Sequence, residues 1–291
     1  MTRLSQRNPQ AYGVMVTLAG VMIFVPDALV MRLIGGDMLA LAVWRGLLSA
    51  AVFVGFLALF ARSDWPKRSE LFDTKGLWVI GLNAAGGLTW CAAMQNTSAA
   101  NALLILATAP FIGALLSWVI LRETINRATG LAIALVFMGV VVIASGSLGQ
   151  VRLLGDGFAL LNATSIAAYY VVLRTTGGRN MLAHVAIGNA LCGIIALAFA
   201  DFVPLTTGQI GLVLLSGAVI LPGAMGLLML GPRYLPAPEV SMITLLEVVL
   251  GPLLVWAVMG EHPGQTTLMG GAVIITVVAA HTLRRILRHE D

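Results

Sequence analysis

Three ionisable residues lie inside apolar stretches of the chain, and chemistry is expected there first. They are Asp27, Arg45 and Glu247. An ionisable group at membrane depth costs about 3 kcal/mol or more, so it needs a partner, water or a function. Either carboxylate could take up and release a proton, and the planar fork of Arg45 matches a carboxylate or a phosphate. These residue types predict binding of a charged solute, with proton coupling as one use of the acids.

Each of the three also has a structural interpretation. Asp27 follows Pro26 and is either a proton or cation site, a group near the outer interface, or a structural partner. In the last case its partner is Arg32 or Arg45. Arg45 either clamps a substrate anion or serves as an internal counter-ion to Asp27 or Glu247. Glu247 either faces water in a cavity, where burial suits a proton carrier, or pairs with Arg45 and stays charged.

Neutral polar and aromatic side chains extend the candidate substrate site. Beside Arg45 and Glu247 we expect it to include Trp90, Asn101, Ser241 and Thr244. Trp90 could wall a cavity, although a Trp near a helix end more often anchors a membrane interface. Asn101 and Ser241 fall near equivalent positions of an internal repeat, so both are expected to approach the axis that relates its halves. Further hydrogen-bonding groups are Gln95, Asn96, His184 and Asn189.

A gating hinge is predicted where Pro222, Gly223 and Gly226 fall in one apolar run. Proline removes a backbone donor and glycine permits bending, which together favour a hinge. Close helix packing explains the same residues equally well.

Composition identifies the elements that must position these residues. With 59% hydrophobic and 10% charged residues and a mean hydropathy of +0.94, the chain has too little polar surface for a soluble globule of 291 residues. A membrane-spanning helix needs about 20 apolar residues. Apolar runs of that length fall at 11–33, 37–60, 76–95, 99–121, 127–145, 155–174, 182–200, 208–230, 237–260 and 266–287. The fold class expected is an all-α integral membrane protein with ten transmembrane helices.

Several function classes are excluded by the residues. The basic residues sit in short loops and at the chain ends, so the pI near 9.5 reflects membrane topology and predicts no nucleic-acid partner. Cys91 and Cys192 show no CxxC spacing and are expected as small buried hydrophobes. The sequence has no Walker A, HExxH or GxSxG motif and no metal-ligand spacing. We therefore expect no catalytic residue, metal or cofactor. An enzyme acting on lipid-linked substrates would need His, Asp or Cys clustered at an interface.

The distribution of Lys and Arg predicts the orientation. Fourteen of them fall on the side of the N-terminus and only Arg32 and Arg152 on the other, with Arg45 inside a helix. By the positive-inside rule both termini face the cytoplasm. We expect a multi-pass protein of the bacterial cytoplasmic (inner) membrane, with the lipid bilayer as its surroundings.

The chain repeats itself once. Asp37–Leu48 matches Asn180–Leu191 at an offset of 143, and Glu123 matches Glu261 at an offset of 138. Two five-helix units follow, residues 1–150 and 151–291. Because five is odd, the second unit enters the membrane the opposite way up, which makes an inverted repeat with a substrate site near the midplane. Glu123 and Glu261 recur at helix ends, so we expect them to serve caps and loops.

These residues resemble the drug/metabolite transporter superfamily, specifically its EamA-like ten-helix members. Leu246–Glu261 (LEVVLGPLLVWAVMGE) is similar to the second-half pattern, with Val248 where a Pro is often found. Ala107–Glu123 (ATAPFIGALLSWVILRE) keeps Pro110 but has Ala109 opposite Glu247. The resemblance implies a basket in which helices 3, 4, 8 and 9 line a central cavity, and alternating access by rocking of the halves.

The function expected from the resemblance and the residues is secondary active transport, without ATP, of small polar metabolites of the amino-acid or organic-acid class. Export is the expected direction. Partners are the small-molecule substrate and either a proton or an exchange substrate. The alternative is a proton-coupled efflux antiporter for drugs or organic cations. The substrate-binding set is the one given above, and Glu247 and Asp27 are the expected proton-coupling residues.

Overall fold

The computed structural model describes residues 8–62, 65–97, 99–124, 126–145, 152–260 and 264–287, without the side chains of 99, 100 and 285–287. Within that part of the chain, nine helices are long and apolar enough to cross a membrane, and Leu182–Leu197 is a shorter apolar helix. Helices dominate because lipid offers no partners for backbone N–H and C=O groups, which must therefore pair within the helix. The chain is an all-α integral membrane protein with ten membrane helices, as the sequence predicts.

The membrane helices are numbered in chain order, and three of them are segmented. Their bounds are α1 Pro9–Ile34, α2 Met38–Phe60, α3 Thr74–Asn96, α4 Ala99–Leu106 with Ala109–Leu116 and the π-helical Ser117–Leu121, α5 Arg127–Ser145, α6 Leu153–Thr175, α7 Leu182–Leu197, α8 Thr207–Leu214 with the π-helical Leu215–Ile220 and Leu221–Leu228, α9 Ala237–Thr244 with Leu246–Met259, and α10 Gln265–Leu287. A single helical turn, Arg68–Leu71, precedes α3, and a 3₁₀ turn, Gly231–Arg233, closes α8.

The bundle has two chemically different faces. We call the face where α1 begins and α10 ends the basic face, and the other the far face. Of the Lys and Arg residues with described side chains, only Arg32 and Arg152 lie on the far face. The basic face carries Arg62, Lys67, Arg68, Lys75, Arg122, Arg127, Arg174, Arg179, Arg233 and Arg284.

The same glycine turn joins the first two helices of each half. Gly35 and Gly36, between α1 and α2, have φ of +63° and +80°. Gly177 and Gly178, between α6 and α7, have φ of +64° and +83°. A left-handed backbone at two successive residues favours glycine, which lacks the Cβ that clashes there. The second half then contains one additional residue, Arg179, before its helix resumes.

Packing partners also recur between the halves. Helix α3 packs on α6 as α8 packs on α1, and α4 packs on α6 as α9 packs on α1. The pairs α2 with α7, α4 with α9 and α5 with α10 join equivalent helices directly. This pattern is the one that an inverted repeat of five helices produces.

Side-chain hydrogen bonds repeat with the packing. At the basic face, Lys75 Nζ donates to the Thr175 carbonyl at the end of α6 (2.5 Å). At the far face, Gln209 Nε2 donates to the Ile34 carbonyl at the end of α1 (2.8 Å). Both bonds use a carbonyl that the ending helix leaves without an intrahelical partner, so each one ties two helices together where they meet.

Glycines bring α5 and α10 into backbone contact. A Cβ added to Gly139 would lie 2.7 Å from Ile274 Cγ1 and 2.9 Å from the Gly270 carbonyl oxygen. Small residues of this kind allow close helix association in membranes, where packing rather than the hydrophobic effect holds helices together.

Gly139→Ala is therefore expected to destabilise the protein by about 1–3 kcal/mol through overpacking. The measurement is thermal unfolding in detergent. The control is Gly130→Ala in the same helix, where an added Cβ meets nothing within 4 Å and should be neutral or slightly stabilising. Equal stability of the two variants would contradict the packing account.

Candidate functional site

A buried ion pair joins α1 to α2. Arg45 Nη2 donates to Asp27 Oδ2, and the two side chains are 8% and 3% exposed. Each residue lies seven positions from the far-face end of its helix, at a depth of about 10 Å. The structure therefore shows the pairing of Asp27 with Arg45 that was one of the alternatives left open by the sequence.

Helix α8 completes this cluster through Ser216. Its Oγ donates to the second oxygen of Asp27, Oδ1, at 2.7 Å. Arg45 Nη1 contacts the Met31 sulfur at 2.8 Å, while Arg45 Nε has no hydrogen-bond partner among the described residues. Three helices thus meet at one carboxylate, and the Nε–H of the guanidinium is left without a partner among the described residues.

The backbone of α8 is irregular at this point. Ser216 belongs to the π-helical segment Leu215–Ile220, which ends shortly before Pro222. Proline cannot donate a backbone hydrogen bond, and π-helical turns are frequent at functional sites. The neighbouring Gly217 would place a Cβ 3.2 Å from Arg45 Cα, so this glycine lets α8 lie against the backbone of α2.

Glu247 stands in the first turn after a break in α9. The segment Ala237–Thr244 ends, Leu245 forms a turn, and Leu246–Met259 begins again. Such a first-turn position suits an anionic side chain because the helix dipole is positive there. The half-buried Glu247 interacts electrostatically with Asp27, Arg45 and Tyr170, but it makes no ion pair or hydrogen bond with any described residue.

The break in α9 has an equivalent in α4. Helix α4 is interrupted at Ala107 and Thr108. The offset that relates Glu123 to Glu261 also relates Ala107 to Leu245, and it places Ala109 opposite Glu247. The fourth helix is therefore interrupted at equivalent positions in both halves, but only the second half has an acidic residue just after the break.

A neutral cluster lies nearer the basic face. Asn83 Nδ2 donates to Asn189 Oδ1 at 2.7 Å, and Asn189 Nδ2 donates to Ser49 Oγ at 2.8 Å. All three side chains are buried. The offset that relates Asp37 to Asn180 places Gly188, the residue before Asn189, opposite Arg45, so the two clusters occupy related places in the two halves. One is ionic and the other is neutral.

The remaining predicted substrate residues are not gathered around Glu247. Trp90 is half-buried and packs with the apolar cluster of α2, α3 and α7 that holds both buried free cysteines. Asn101 lies at the far-face start of α4, whereas Ser241 lies in the basic-face turns of α9, so these two are at opposite ends of the bundle. Thr244 precedes the α9 break and donates to the Ser241 carbonyl at 2.8 Å.

The predicted hinge residues face different neighbours. A Cβ on Gly223 would lie 3.5 Å from Ile23 of α1, and one on Gly226 would lie 3.8 Å from Phe53 of α2. Pro222 is buried and begins the last regular segment of α8. The three residues therefore lie between the π-helical segment and the basic-face end of the helix.

Glu123 makes a structural contact at the basic face. It pairs with Arg174 at the end of α6 (2.7 Å), and the same guanidinium donates to the Leu235 carbonyl (2.9 Å). Glu261, its sequence equivalent, lies outside the described residues.

The sequence analysis did not identify several buried polar residues of the described region, among them Ser49 and Asn83 of the neutral cluster, Ser216 and Glu239. Ser216 is a neutral residue in an apolar run and gave no signal. Glu239 is 3% exposed in the first turn of α9 and lies 3.4 Å from Thr129 Oγ1 and 3.8 Å from His281 Nε2. It is the repeat equivalent of Asn101 at the offset that relates the two helix breaks, so that offset could have found it.

The ion pair at the start of α3 lies outside the membrane helices. Arg179 Nη1 and Nη2 donate to the two carboxylate oxygens of Asp73 at 2.7 and 3.0 Å. These hydrogen bonds from Arg179 lower the pKa of Asp73 to about 2. Because that pKa is depressed, the stabilisation is complete above the unfolded pKa of 3.8 and is lost only as the pH falls towards 2.

Asp73→Asn is expected to lower the free energy of unfolding by only about 0.5–1 kcal/mol, since both side chains are about one-third exposed. Asparagine keeps the N-cap of α3. The variant should leave the pH dependence of stability between about pH 5 and 8 unchanged, which unfolding curves at several pH values would measure. A new slope in that interval would contradict the assignment.

Comparison with known proteins agrees with the fold. The model of the EamA-like transporter family matches residues 11–145 and again residues 153–282, which correspond to α1–α5 and α6–α10. A solved crystal structure superposes with a TM-score of 0.79 at 18% identity, covering 96% of this chain and 99% of that chain. No curated protein sequence matches. The ten-helix architecture, the doubled motif and the family match together place this chain in the EamA-like transporter family, within the drug/metabolite transporter superfamily.

Proposed function

We propose that this membrane transporter is a secondary active transporter that exports small polar metabolites of the amino-acid or organic-acid class by alternating access. The observation that carries the proposal is the pair of unused polar groups within the membrane. Arg45 Nε has no partner among the described residues. Glu247 interacts electrostatically with Arg45 but forms no ion pair with any described residue. The anionic group of a solute would complement Arg45, and either a proton or an ammonium group of the solute would complement Glu247.

The roles within the site follow from the contacts. Arg45 recognises the anionic group, held in place by Asp27 and Ser216. Glu247 carries the coupling proton, while Asp27 is mainly the counter-ion of Arg45 because Arg45 already pairs with it. Trp90, Asn101, Ser241 and Thr244 contribute to the substrate path at different depths, and Pro222, Gly223 and Gly226 form the hinge of α8.

The wider setting belongs to the same proposal. The two repeats are residues 1–150 and 151–291, and the basic face is cytoplasmic, with both termini on that side of a bacterial inner membrane. The charge difference between the faces supports this orientation.

A proton-coupled antiporter for drugs or organic cations is the second candidate. It is favoured by Glu247, since Arg45 is already paired with Asp27 and leaves the Glu247 carboxylate without a cationic partner among the described side chains.

Thermal-shift measurements on the purified protein test the proposal and separate the two candidates. Each of a panel of amino acids, organic acids and organic cations is added, because a ligand raises the unfolding temperature by binding the folded state. Shifts with amino or organic acids that are lost in Arg45→Gln would support the metabolite transporter. Shifts confined to cations would favour the antiporter, and no shift above buffer with any member would contradict both.

A further inference from the structure

A cavity at the basic face lies apart from the Asp27–Arg45 cluster. Its volume is about 510 Å³, within the range of small-molecule sites, which is about 300–1,000 Å³. Three segments wall it: Trp65 to Glu70 before α3, Gly178 to Leu182 before α7, and Gly226 to Arg233 at the end of α8. It therefore reaches from the loops down to the predicted hinge.

The charged side chains that line the cavity differ in how many hydrogen-bond partners they have within the protein. Arg179 is neutralised by Asp73 through two hydrogen bonds. Glu70 accepts from the Lys67 backbone N–H at 3.1 Å. Arg233 uses Nη2 for the Arg179 carbonyl at 2.9 Å and forms no ion pair with any described residue. A guanidinium has five N–H donors, so most of those on Arg233 have no partner among the described residues and can bind a ligand.

The first half has a side-chain donor at the position equivalent to Arg233, and there the protein itself supplies the carboxylate that faces it. Gln95 is the repeat equivalent of Arg233 at the offset of the helix breaks, and its Nε2 is 3.4 Å from Asp37 Oδ2. Asp37 also accepts from the Asp201 backbone N–H at 3.4 Å. The residue equivalent to Asp37 in the second half is Asn180, which lines the cavity. The second half thus has a cation where the first has an amide, and an amide where the first has a carboxylate.

The rest of the wall is apolar. Met229, Leu230 and Leu182 line it together with the indole of Trp65. A ligand that satisfies Arg233 can therefore place a hydrocarbon or aromatic portion against these side chains.

We propose that the cavity is a vestibule that binds a small organic anion, with its anionic group at Arg233 and its apolar part against Trp65 and Met229. That this ligand is also the transported substrate rests on the proposed function. A soluble organic acid and the headgroup of an anionic lipid share the required chemistry, and the test separates them.

The test uses the purified full chain in a neutral detergent and three probes that differ in charge: indole-3-acetate, indole-3-acetamide and tryptamine. Calorimetric titration should give the lowest Kd for indole-3-acetate. Arg233→Gln should raise that Kd by about tenfold or more, because a charge-assisted hydrogen bond is lost. Glutamine can keep the bond to the Arg179 carbonyl and is the residue at the equivalent position 95, so the variant should fold, which its unfolding temperature checks.

Arg68→Gln is the matched control. Arg68 is exposed on the same face and does not line the cavity, so its removal changes the surface charge equally. It should leave the Kd of indole-3-acetate unchanged. Equal affinity for the three probes, an unchanged Kd in Arg233→Gln, or an equal loss in Arg68→Gln would each overturn the proposal.

Two further experiments distinguish a soluble acid from a lipid headgroup as the ligand, and failure of the vestibule proposal from failure of the transport proposal. Loss of indole-3-acetate binding in nanodiscs of anionic lipid, but not of neutral lipid, would assign the site to a lipid headgroup and overturn the vestibule. The titration needs no gradient, so it does not depend on transport. Probe binding without flux of any solute would contradict the transport function alone, and solute flux that is indifferent to Arg233→Gln would contradict the vestibule alone.

Discussion

Arg45→Gln is expected to lower the free energy of unfolding by about 3–5 kcal/mol, because it breaks a buried ion pair. The substitution leaves the buried Asp27 with Ser216 as its remaining hydrogen-bond partner and with no counter-ion among the described residues. An uncompensated charge is expensive in a bundle surrounded by lipid. Thermal or chemical unfolding of the purified protein measures the loss.

The double variant Asp27→Asn/Arg45→Gln provides the rescue. It removes both charges, so it should be closer to the wild type in stability than Arg45→Gln alone. Arg152→Gln, which removes an exposed far-face arginine, should stay within about 0.5 kcal/mol of the wild type. If Arg45→Gln were as harmless as Arg152→Gln, the buried pair would not be holding α1 and α2 together.

Glu247→Gln is expected to have the largest effect on coupling. The change keeps the size of the side chain and removes its ability to carry a proton. A gradient of one pH unit is worth about 1.4 kcal/mol per proton, or about tenfold solute accumulation at one proton per solute. That accumulation should fall in the variant to the level reached without a gradient, as measured by uptake into proteoliposomes.

Glu123→Gln is the control for this prediction, because Glu123 follows the fourth helix of the first half and makes an ion pair at the basic face. It should keep the pH dependence of the wild type. Unchanged gradient-driven accumulation in Glu247→Gln would remove this residue from the coupling mechanism.

Hydropathy was sufficient to predict the fold. The ten apolar runs correspond to the ten helices because lipid demands a helix wherever about 20 apolar residues follow one another. Positions of segment breaks were not predictable in the same way. The interruption at Leu245 and the π-helical turns of Leu215–Ile220 depend on packing between helices, which a hydropathy profile does not contain.

The candidate site was only partly predictable. The sequence identified Asp27 and Arg45 because charges are rare in apolar runs, but three partners were possible for Arg45 until the helices were placed. Ser216 was missed because a hydroxyl in an apolar helix is common and usually bonds its own backbone. The cavity at Arg233 was missed since it is assembled from three distant segments.

Symmetry gives the clearest account of where function is expected. The glycine turns, helix breaks and helix-end hydrogen bonds repeat in both halves and therefore belong to the architecture. The ionic cluster at Arg45, the acid at Glu247 and the cation at Arg233 do not repeat. An inverted repeat can close alternately at either face, whereas the unrepeated charges can select a solute and couple its movement.

Solute counterflow tests directly whether the protein is a secondary transporter. Proteoliposomes are loaded with an unlabelled amino or organic acid that shifts the unfolding temperature, and the labelled solute is added outside without ATP. Secondary transport predicts a transient internal accumulation of label above that of protein-free vesicles, absent in Arg45→Gln. Label uptake equal to that of protein-free vesicles, or uptake that requires ATP, would contradict the account.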